Sequence, residues 1–335
     1  MPAGPFFRRP GPAAWTGRPV TSAMRLGGYA DADAGDEEIT VTYDRDGFRN
    51  PEDLRDWEIA VVGDSFTEAG TVTQDELYTT ILGRELGQRV RNLGVSFTGP
   101  LSQTYFLQHF GKAPSAKHAV LAFFEGNDLQ DLQREVKLRE AYHAGQVVKA
   151  PSRLDELPPQ SSFVRAVGTW LGLLLSRSEK PKPPELVNGE FVGGAAPVPM
   201  TLDFIPPSSS DVSPALRESL DRALGGFAQT AREQGMKPWL LYIPSKRRAL
   251  DGRLRFLPSA TPEMAGWKPT DLPQWVAGLA EAHGITVVDA TPALAAEAQR
   301  GVLPYNAIFD THLNPAGHRA VAKTLADAMR DAPAP

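Results

Sequence analysis

Short apolar runs alternate with amphipathic segments along most of the chain. Apolar runs of strand length, each followed by glycine, proline or an acidic residue, predict five β-strands, at residues 57–62, 89–93, 118–124, 239–243 and 285–288. Apolar residues at helical spacing predict helices at residues 76–86, 216–231 and 273–283. Asn314 and Pro315 have the residue types of a helix N-cap and a first helical position, so a last helix is predicted to begin there. This alternation favours a parallel, three-layer α/β/α sheet with right-handed crossovers.

The composition changes twice along the chain. Residues 1–40 are rich in Gly, Pro, Ala and Asp without a clear period, and they predict an irregular N-terminal arm. Residues 41–335 are predicted to form one domain. Within it, from about residue 130 to residue 214, a charged helical piece, an apolar stretch near Trp170 and a Pro-rich run indicate an insertion. Because the insertion follows the third strand, we expect it to lie near the functional site and to influence the choice of substrate.

Charge and composition exclude several classes of function. The formal net charge of −5 lacks the basic surface that nucleic-acid binding requires. Without cysteine there is no disulfide, thiolate metal site or cysteine nucleophile. The most apolar stretch, residues 163–175, is interrupted by Arg165 and is shorter than the ~20 residues that cross a bilayer. Residues 1–20 hold no apolar signal-peptide core, so a cytoplasmic location is the default expectation. The sequence does not indicate an oligomeric state for the protein.

Residues with the chemistry of acyl transfer follow several predicted strands. Ser65 follows the first strand, Asn127 follows the third, and Asp310 and His312 precede the last helix. Loops at the carboxyl ends of parallel strands meet at one edge of the sheet, so these side chains are expected to converge. A serine hydroxyl needs a base, and an imidazole needs a carboxylate to hold its tautomer. Asp310 lies two residues before His312, and in an extended segment the two point the same way. The pattern predicts Ser65 as nucleophile, His312 as base and Asp310 as the orienting acid.

Three groups are candidate donors to an oxyanion: the Ser65 N–H, an N–H of the turn at residues 94–99, and the Asn127 amide. Two of these residues have a simpler alternative. Ser65 could cap a helix, and Asn127 could be a turn residue. Asp64 is interpreted as a capping carboxylate and Asp128 as structural.

The remaining polar residues have no catalytic pattern. His318 is expected to be solvated or to cap a helix, and residues 44–50 form a turn of the scaffold in which Arg49 is a minor candidate for substrate contact. Lys246, Arg247 and Arg248 are expected to be a solvated charge cluster, with a lid or a substrate-carboxylate contact as the alternative. No pattern points to a cofactor or a metal.

Four motifs, in order, resemble those of the SGNH or GDSL-type hydrolases: Gly63-Asp64-Ser65-Phe66, Asn92-Leu93-Gly94-Val95-Ser96, Gly126-Asn127-Asp128, and Asp310-x-His312-Leu313-Asn314-Pro315-x-Gly317-His318. The resemblance covers roughly residues 43–330. It implies a flavodoxin-like five-stranded sheet, a Ser/His/Asp triad and an oxyanion hole shared by Ser, Gly and Asn. It also implies activity on small acyl esters, frequently on carbohydrates.

Two departures from the family pattern leave alternatives open. The glycine of the second motif aligns with Phe97 or Gly99, of which Gly99 is our assignment for the oxyanion hole. The acid lies two residues before His312 rather than three, as in alginate-type polysaccharide O-acetyltransferases. In those enzymes, however, the Asp-x-His motif usually precedes the serine, whereas here it follows Ser65.

The sequence therefore predicts a serine esterase that hydrolyses small acyl esters, with O-acetyl groups on carbohydrate as the expected substrate. A polysaccharide or sugar O-acetyltransferase with the same triad is the first alternative. A non-catalytic scaffold that binds carbohydrate or an envelope partner is the second.

Overall fold

The computed structural model describes residues 11–18, 38–51, 54–144, 187–308 and 310–332. Its strands are β1 (Ala13–Gly17), β2 (Ile39–Tyr43), β3 (Ile59–Gly63), β4 (Val90–Gly94), β5 (His118–Phe124), β6 (Gly189–Phe191), β7 (Val198–Met200), β8 (Lys237–Ile243), β9 (Leu254–Phe256) and β10 (Thr286–Asp289). Its α-helices are α1 (Ser65–Glu68), α2 (Tyr78–Leu86), α3 (Pro100–Phe110), α4 (Asp128–His143), α5 (Pro214–Glu233), α6 (Lys246–Ala249), α7 (Pro262–Gly266), α8 (Leu272–Ala282), α9 (Thr291–Gln299) and α10 (Pro315–Asp331).

The central sheet has five parallel strands in the order β10-β8-β5-β3-β4. Taken in chain order these strands are arranged 2-1-3-4-5, which is the flavodoxin-like order. The predicted fold class is thus confirmed. All five predicted strands are present, with ends displaced by at most two residues from the apolar runs, because the backbone pairing continues into flanking residues such as Gly63 and Lys237.

Helices cover both faces of this sheet because its strands present apolar side chains alternately to each side. In β3, Ala60 and Val62 pack with the apolar faces of α3, α5 and α8, whereas Ile59 and Val61 pack with α2, α9 and α10. All four side chains have no exposed surface. This arrangement places the two hydrophobic cores between the sheet and its helices. The loops at the strand ends lie outside these cores.

Two structural features lie outside the five-stranded pattern. Strand β1 pairs antiparallel with β2, and it lies in the segment for which the sequence predicts an irregular arm. A second sheet, in the order β7-β6-β9, is built partly from the predicted insertion. Short strands of this kind have too few residues to show a clear alternation of apolar and polar positions, so the sequence did not predict them. The apolar stretch near Trp170 lies outside the described residues, and the domain boundaries stay predictions.

The charged helical piece after Asn127 forms α4, and the last helix begins at Pro315 with Asn314 as its N-cap, as predicted. No helix in the described ranges is long and apolar enough to cross a membrane.

Candidate active site

The turn between β3 and α1 positions Ser65. Asp64 is the N-cap of α1, and its Oδ1 accepts from the Phe66 N–H at 2.9 Å. The capping role proposed for Asp64 is thus confirmed, and Ser65 is the first helical residue instead of the cap. The turn is tightly packed, since a Cβ on Gly63 would lie 2.1 Å from Thr67 Oγ1. Ser65 is partly exposed, and its hydroxyl lies 3.5 Å from Asp64 Oδ2.

Asp310 and His312 form a close pair. Oδ1 of Asp310 lies 2.5 Å from His312 Nδ1 and also accepts from the His312 backbone N–H at 3.0 Å. Oδ2 accepts from Asn306 Nδ2 at 2.8 Å, so both carboxylate oxygens are held. Burial alone would raise the pKa of Asp310, but the charge and hydrogen bonds of His312 lower it to about 2. The predicted side-by-side arrangement of Asp310 and His312 is therefore observed.

The same carboxylate sets the charge of the imidazole. Burial alone would lower the pKa of His312, whereas the charge and hydrogen bond of Asp310 and the charge of Asp64 together raise it above the ordinary value of 6.5. The side chain of His312 retains 24% exposure. Asp310 therefore stabilises the imidazolium form while leaving the ring accessible.

The imidazole of His312 lies beside the residue that follows Ser65. Its ring centroid is 4.9 Å from that of Phe66, and Phe66 in turn stacks on Phe124 at 3.8 Å. The structure thus places the Asp310-x-His312 motif, which precedes the last helix, beside the serine motif. In the part of the chain that the structure describes, no hydrogen bond joins Ser65 Oγ to His312.

The second motif supplies a turn whose backbone N–H groups are mostly engaged. The N–H groups of Gly94, Val95 and Ser96 donate to Asn92 Oδ1, the Gly63 carbonyl and Glu68 Oε2, respectively, at 2.8–3.0 Å.

Gly99, our assignment for the oxyanion hole, has an engaged N–H in this structure. Its N–H donates to Glu135 Oε1 at 2.8 Å, and the neighbouring N–H groups of Leu101 and Ser102 also donate to this carboxylate. Gly99 is therefore the N-cap residue before α3, and its N–H binds a carboxylate 36 positions later in the chain, which local sequence does not reveal.

Phe97, the alternative considered from the sequence, has a different environment. It adopts a left-handed conformation with φ of 65° and is 58% exposed. A non-glycine residue rarely adopts this backbone conformation, which is typical of glycine. Among the described residues, the Phe97 N–H has no acceptor.

Asn127 connects the third motif to the first. Its Nδ2 donates to Asp131 Oδ2 at 2.9 Å, and its side chain helps to lower the pKa of the nearby Asp64, which burial raises. Asn127 is partly exposed at the N-terminus of α4. It is thus close to the serine turn, although its amide already has an acceptor in Asp131.

Sequence reasoning missed an acidic cluster behind Asn127, formed by Asp64, Asp128, Asp131 and Glu135. Burial is the main cause that raises the pKa of each of these carboxyl groups, and that of Asp131 reaches about 7. Asp128 also has the structural role that we predicted, since Oδ2 accepts from the Phe124 N–H at 3.0 Å. Three of these acids, Asp128, Asp131 and Glu135, are spaced i, i+3, i+7 along α4. This spacing was the sequence signal that could have revealed the cluster. No group of three or more potential metal ligands is found among the described residues.

Lys246, Arg247 and Arg248 are not a solvated cluster, because each is at least 93% buried. Lys246 Nζ donates to the carbonyl oxygen of Asp310, and burial lowers the pKa of Lys246 to about 8. Arg248 Nε pairs with Glu125 Oε2 at 2.6 Å. Lys246 therefore supports the Asp310 loop. The sequence did not reveal this, because the partners come from distant segments.

His318 and Arg49 are also buried. His318 is not solvated, and its Nδ1 accepts from the Tyr78 N–H at 3.2 Å. It therefore caps α2, a helix remote in sequence. Arg49 donates to the backbone carbonyls of Glu68 and Val72, which gives it the scaffold role predicted for its turn.

The sequence profile of the GDSL-like Lipase/Acylhydrolase family matches residues 61–320 of this chain. The match spans more than half of the chain and contains all four motifs. This chain belongs to the GDSL-like lipase/acylhydrolase family. It is therefore an ester hydrolase of the SGNH type. Among curated proteins, none matches the chain significantly.

Solved structures with a related arrangement include three esterases or hydrolases. The α/β hydrolase LAE5 from the metagenome of Lake Arreo, Spain, is 15% identical, with 83% of this chain and 97% of LAE5 covered and a TM-score of 0.41. A catalytic mutant of Axe2, an acetylxylan esterase from Geobacillus stearothermophilus, is 11% identical, with 82% and 94% covered and a TM-score of 0.40. A carbohydrate esterase family 2 enzyme from Corynascus thermopiles (Myceliophthora fergusii) is 13% identical, with 87% and 70% covered and a TM-score of 0.39. The family assignment rests on the sequence profile and not on these similarities.

Proposed function

We propose that this GDSL-family protein is a serine esterase in which Ser65, His312 and Asp310 form the catalytic triad. The observation that carries the proposal is the 2.5 Å contact between Asp310 Oδ1 and His312 Nδ1, with the imidazole packed 4.9 Å from Phe66, the neighbour of Ser65. Nδ1 is thus occupied by the acid, and Nε2 is the nitrogen available to the nucleophile.

The reaction proceeds through an acyl-enzyme. Ser65 Oγ attacks the ester carbonyl while its proton passes to His312 Nε2. His312 then returns the proton to the alcohol oxygen as the C–O bond breaks. In the second half, water loses a proton to His312, attacks the acyl-serine and releases the acid. Asp310 stays ionised throughout, as its low pKa favours.

We assign the oxyanion donors to the Ser65 N–H, the Phe97 N–H and the Asn127 amide. Phe97 replaces Gly99, because the Gly99 N–H donates to Glu135. Asn127 Nδ2 would exchange its bond to Asp131 for one to the oxyanion. Each such donor contributes roughly 2.7–4 kcal/mol to the stability of the transition state.

We propose that the substrate carries a small acyl group, and our choice is an acetyl ester of a carbohydrate alcohol. Aromatic rings pack next to the serine turn: Phe66 stacks on Phe124, and Phe204 packs edge-on against Phe124 at 5.6 Å. We take this packed aromatic cluster next to the nucleophile to favour a short acyl chain. Phe204 comes from the predicted insertion, so this segment is our candidate for substrate selection.

Acyl-enzyme mass spectrometry with a panel of acyl esters tests this proposal. We expect the acyl mass on the peptide that contains Ser65, fluorophosphonate labelling of the wild type, and loss of labelling in Ser65→Ala and His312→Ala. Ser65→Ala should lower kcat by at least about 10³-fold without changing the melting temperature. Ser259→Ala, at an exposed serine, is the matched control. Absence of labelling in the folded wild type would support the non-catalytic scaffold instead.

An O-acetyltransferase with the same triad is the second candidate, favoured by the Asp-x-His spacing of Asp310 and His312. In this reaction a sugar hydroxyl, and not water, takes the acyl group from Ser65. Assays with saturating acceptor sugar separate the two reactions. Release of acetate that far exceeds transfer would exclude the transferase.

A further inference from the structure

One of the three buried basic side chains at the start of α6 has no polar partner. Lys246 donates to the carbonyl of Asp310, and Arg248 pairs with Glu125. In contrast, Nε, Nη1 and Nη2 of Arg247 have no hydrogen-bond partner within the described ranges, although the residue is only 2% exposed. A buried guanidinium with five unsatisfied donors is costly unless an anion pairs with it.

The guanidinium of Arg247 lies between two aromatic rings. Its Cζ is 5.3 Å from the ring centroid of Phe256 and 5.1 Å from that of Trp267. Cation–π contacts attract the charge but do not satisfy N–H donors, which lie in the guanidinium plane. Desolvation by burial lowers the pKa of Arg247, with no carboxylate opposing it.

A cavity of about 340 Å³ has Arg247 among its lining residues. It is lined by Arg247, Asp251, Gly252, Leu254, Phe256, Trp267 and Lys268. Two cations and one carboxylate give the lining a net positive charge, and Asp251 forms no ion pair with Arg247 among the described residues. The volume lies within the range of about 300–1,000 Å³ that is typical of small-molecule sites.

We propose that this cavity, the Arg247 pocket, binds the carboxylate or phosphate group of a small anionic ligand. The planar guanidinium offers paired N–H donors that match either oxyanion, and Phe256 and Trp267 form walls for the body of the ligand. Lys268 adds a second positive charge at the cavity. The pocket is separate from the proposed triad, since Ser65, Asp310 and His312 are not among its lining residues.

Calorimetric titration of the full chain with sodium glucuronate and with sodium phosphate, at ionic strength matched with sodium chloride, tests the Arg247 pocket. We expect saturable one-site binding of at least one of them, and the comparison identifies the preferred oxyanion. Arg247→Met should weaken binding by at least about tenfold, because a charge-assisted pair is lost. Arg247→Lys should bind with intermediate affinity, since it retains the charge without the planar pair of donors. Arg255→Met is the matched control, because Arg255 is exposed and pairs with Glu190 on the neighbouring strand.

A second readout separates a ligand site from a purely structural arginine. In buffer without either anion, Arg247→Met should melt at or above the wild-type temperature, because it removes an uncompensated buried charge. Added anion should raise the melting temperature of the wild type and not that of Arg247→Met. Failure of the wild type to bind either anion at millimolar concentration, or equal binding by wild type and Arg247→Met, would overturn the proposal.

Discussion

At the residue scale, the candidate site depends on a few side chains whose protonation is set by their neighbours. The carboxylate of Asp310 is held by Asn306 and by the backbone of His312, so it can fix the imidazole tautomer without moving. The net effect of Asp310 and Asp64 is to raise the pKa of His312 despite its burial. Because the base must be neutral to accept the serine proton, activity should rise with pH through a value above 6.5.

Replacement of Asp310 by Asn tests this account through the pH profile. We expect kcat to fall by about 10⁴-fold, because the amide stabilises the wrong tautomer. The acid limb of kcat/KM should also shift to lower pH, since burial then lowers the pKa of His312 with less opposition. Stopped-flow or steady-state assays from pH 5 to pH 9 measure both effects. A rate close to that of the wild type would implicate another carboxylate.

At the element scale, several helices are capped by side chains that are distant in sequence. Glu135, on α4, accepts from three N–H groups around the start of α3 at 2.8–3.3 Å. His318, on α10, accepts from the first N–H of α2. These caps lock helices of both layers to their neighbours and hold the turn that contains Phe97.

Glu135→Ala should destabilise the protein by about 1–3 kcal/mol, because three backbone donors lose their acceptor. Glu135→Gln should cost less, since its amide oxygen can still accept. Urea unfolding followed by circular dichroism measures the free energy of unfolding. Glu140→Ala, at an exposed position of the same helix, is the control and should change it by less than about 0.5 kcal/mol.

His318 should make stability depend on pH in the acid range. Burial, with the charges of Arg49 and His312, lowers the pKa of His318 from 6.5 to about 3 in the folded state. Between these values the unfolded chain binds a proton that the folded protein does not bind, so stability falls as pH drops from 6.5 toward 3. The loss amounts to at most roughly 5 kcal/mol.

The variant His318→Asn removes this titration and retains an acceptor for the Tyr78 N–H. We expect a shallower loss of stability between pH 7 and pH 4 in urea unfolding than for the wild type. His143→Asn, at an exposed histidine, should keep the wild-type slope. Identical slopes for wild type and His318→Asn would contradict the assignment.

At the scale of the whole molecule, the carboxyl edge of the sheet is joined to the loops above it by a buried polar network. Glu125, directly after β5, accepts from Tyr242 on β8, from Ser245 and from Arg248 on α6 at 2.5–2.9 Å. The adjacent Lys246 supports the loop of Asp310. The network thus connects the central sheet to the loop that carries the proposed acid and base.

A double-mutant cycle on Glu125 and Arg248 tests this connection. Glu125→Gln and Arg248→Met should each destabilise the protein by about 3–5 kcal/mol, because each leaves a buried charge unpaired. The double variant should be more stable than the sum of the single losses predicts. The same cycle on the exposed pair Glu218 and Arg222 should give a coupling below about 1 kcal/mol. Additive losses at Glu125 and Arg248 would mean that the buried pair is not coupled.

The sequence by itself determined the five strands of the central sheet, several of its helices and the main motifs of the candidate site. Apolar periodicity sets strands and helices locally, and Ser65, Asn127, Asp310 and His312 follow strands or precede a helix in ways that can be recognised from short segments. The pairing of Asp310 with His312 was predictable because residues two apart in extended backbone share a side.

Only the tertiary structure decided the partners that come from distant segments. Gly99 has the residue type of an oxyanion donor, yet Glu135 takes its N–H. Arg247 was expected to be solvated and His318 to be solvated or to cap a helix, yet both are buried and His318 caps a helix that is distant in sequence. Burial and hydrogen-bond partners depend on which elements meet in space, and local patterns carry little information about those contacts. For this reason the sequence predicts the roles that we propose for Ser65 and His312 but does not predict the Arg247 pocket.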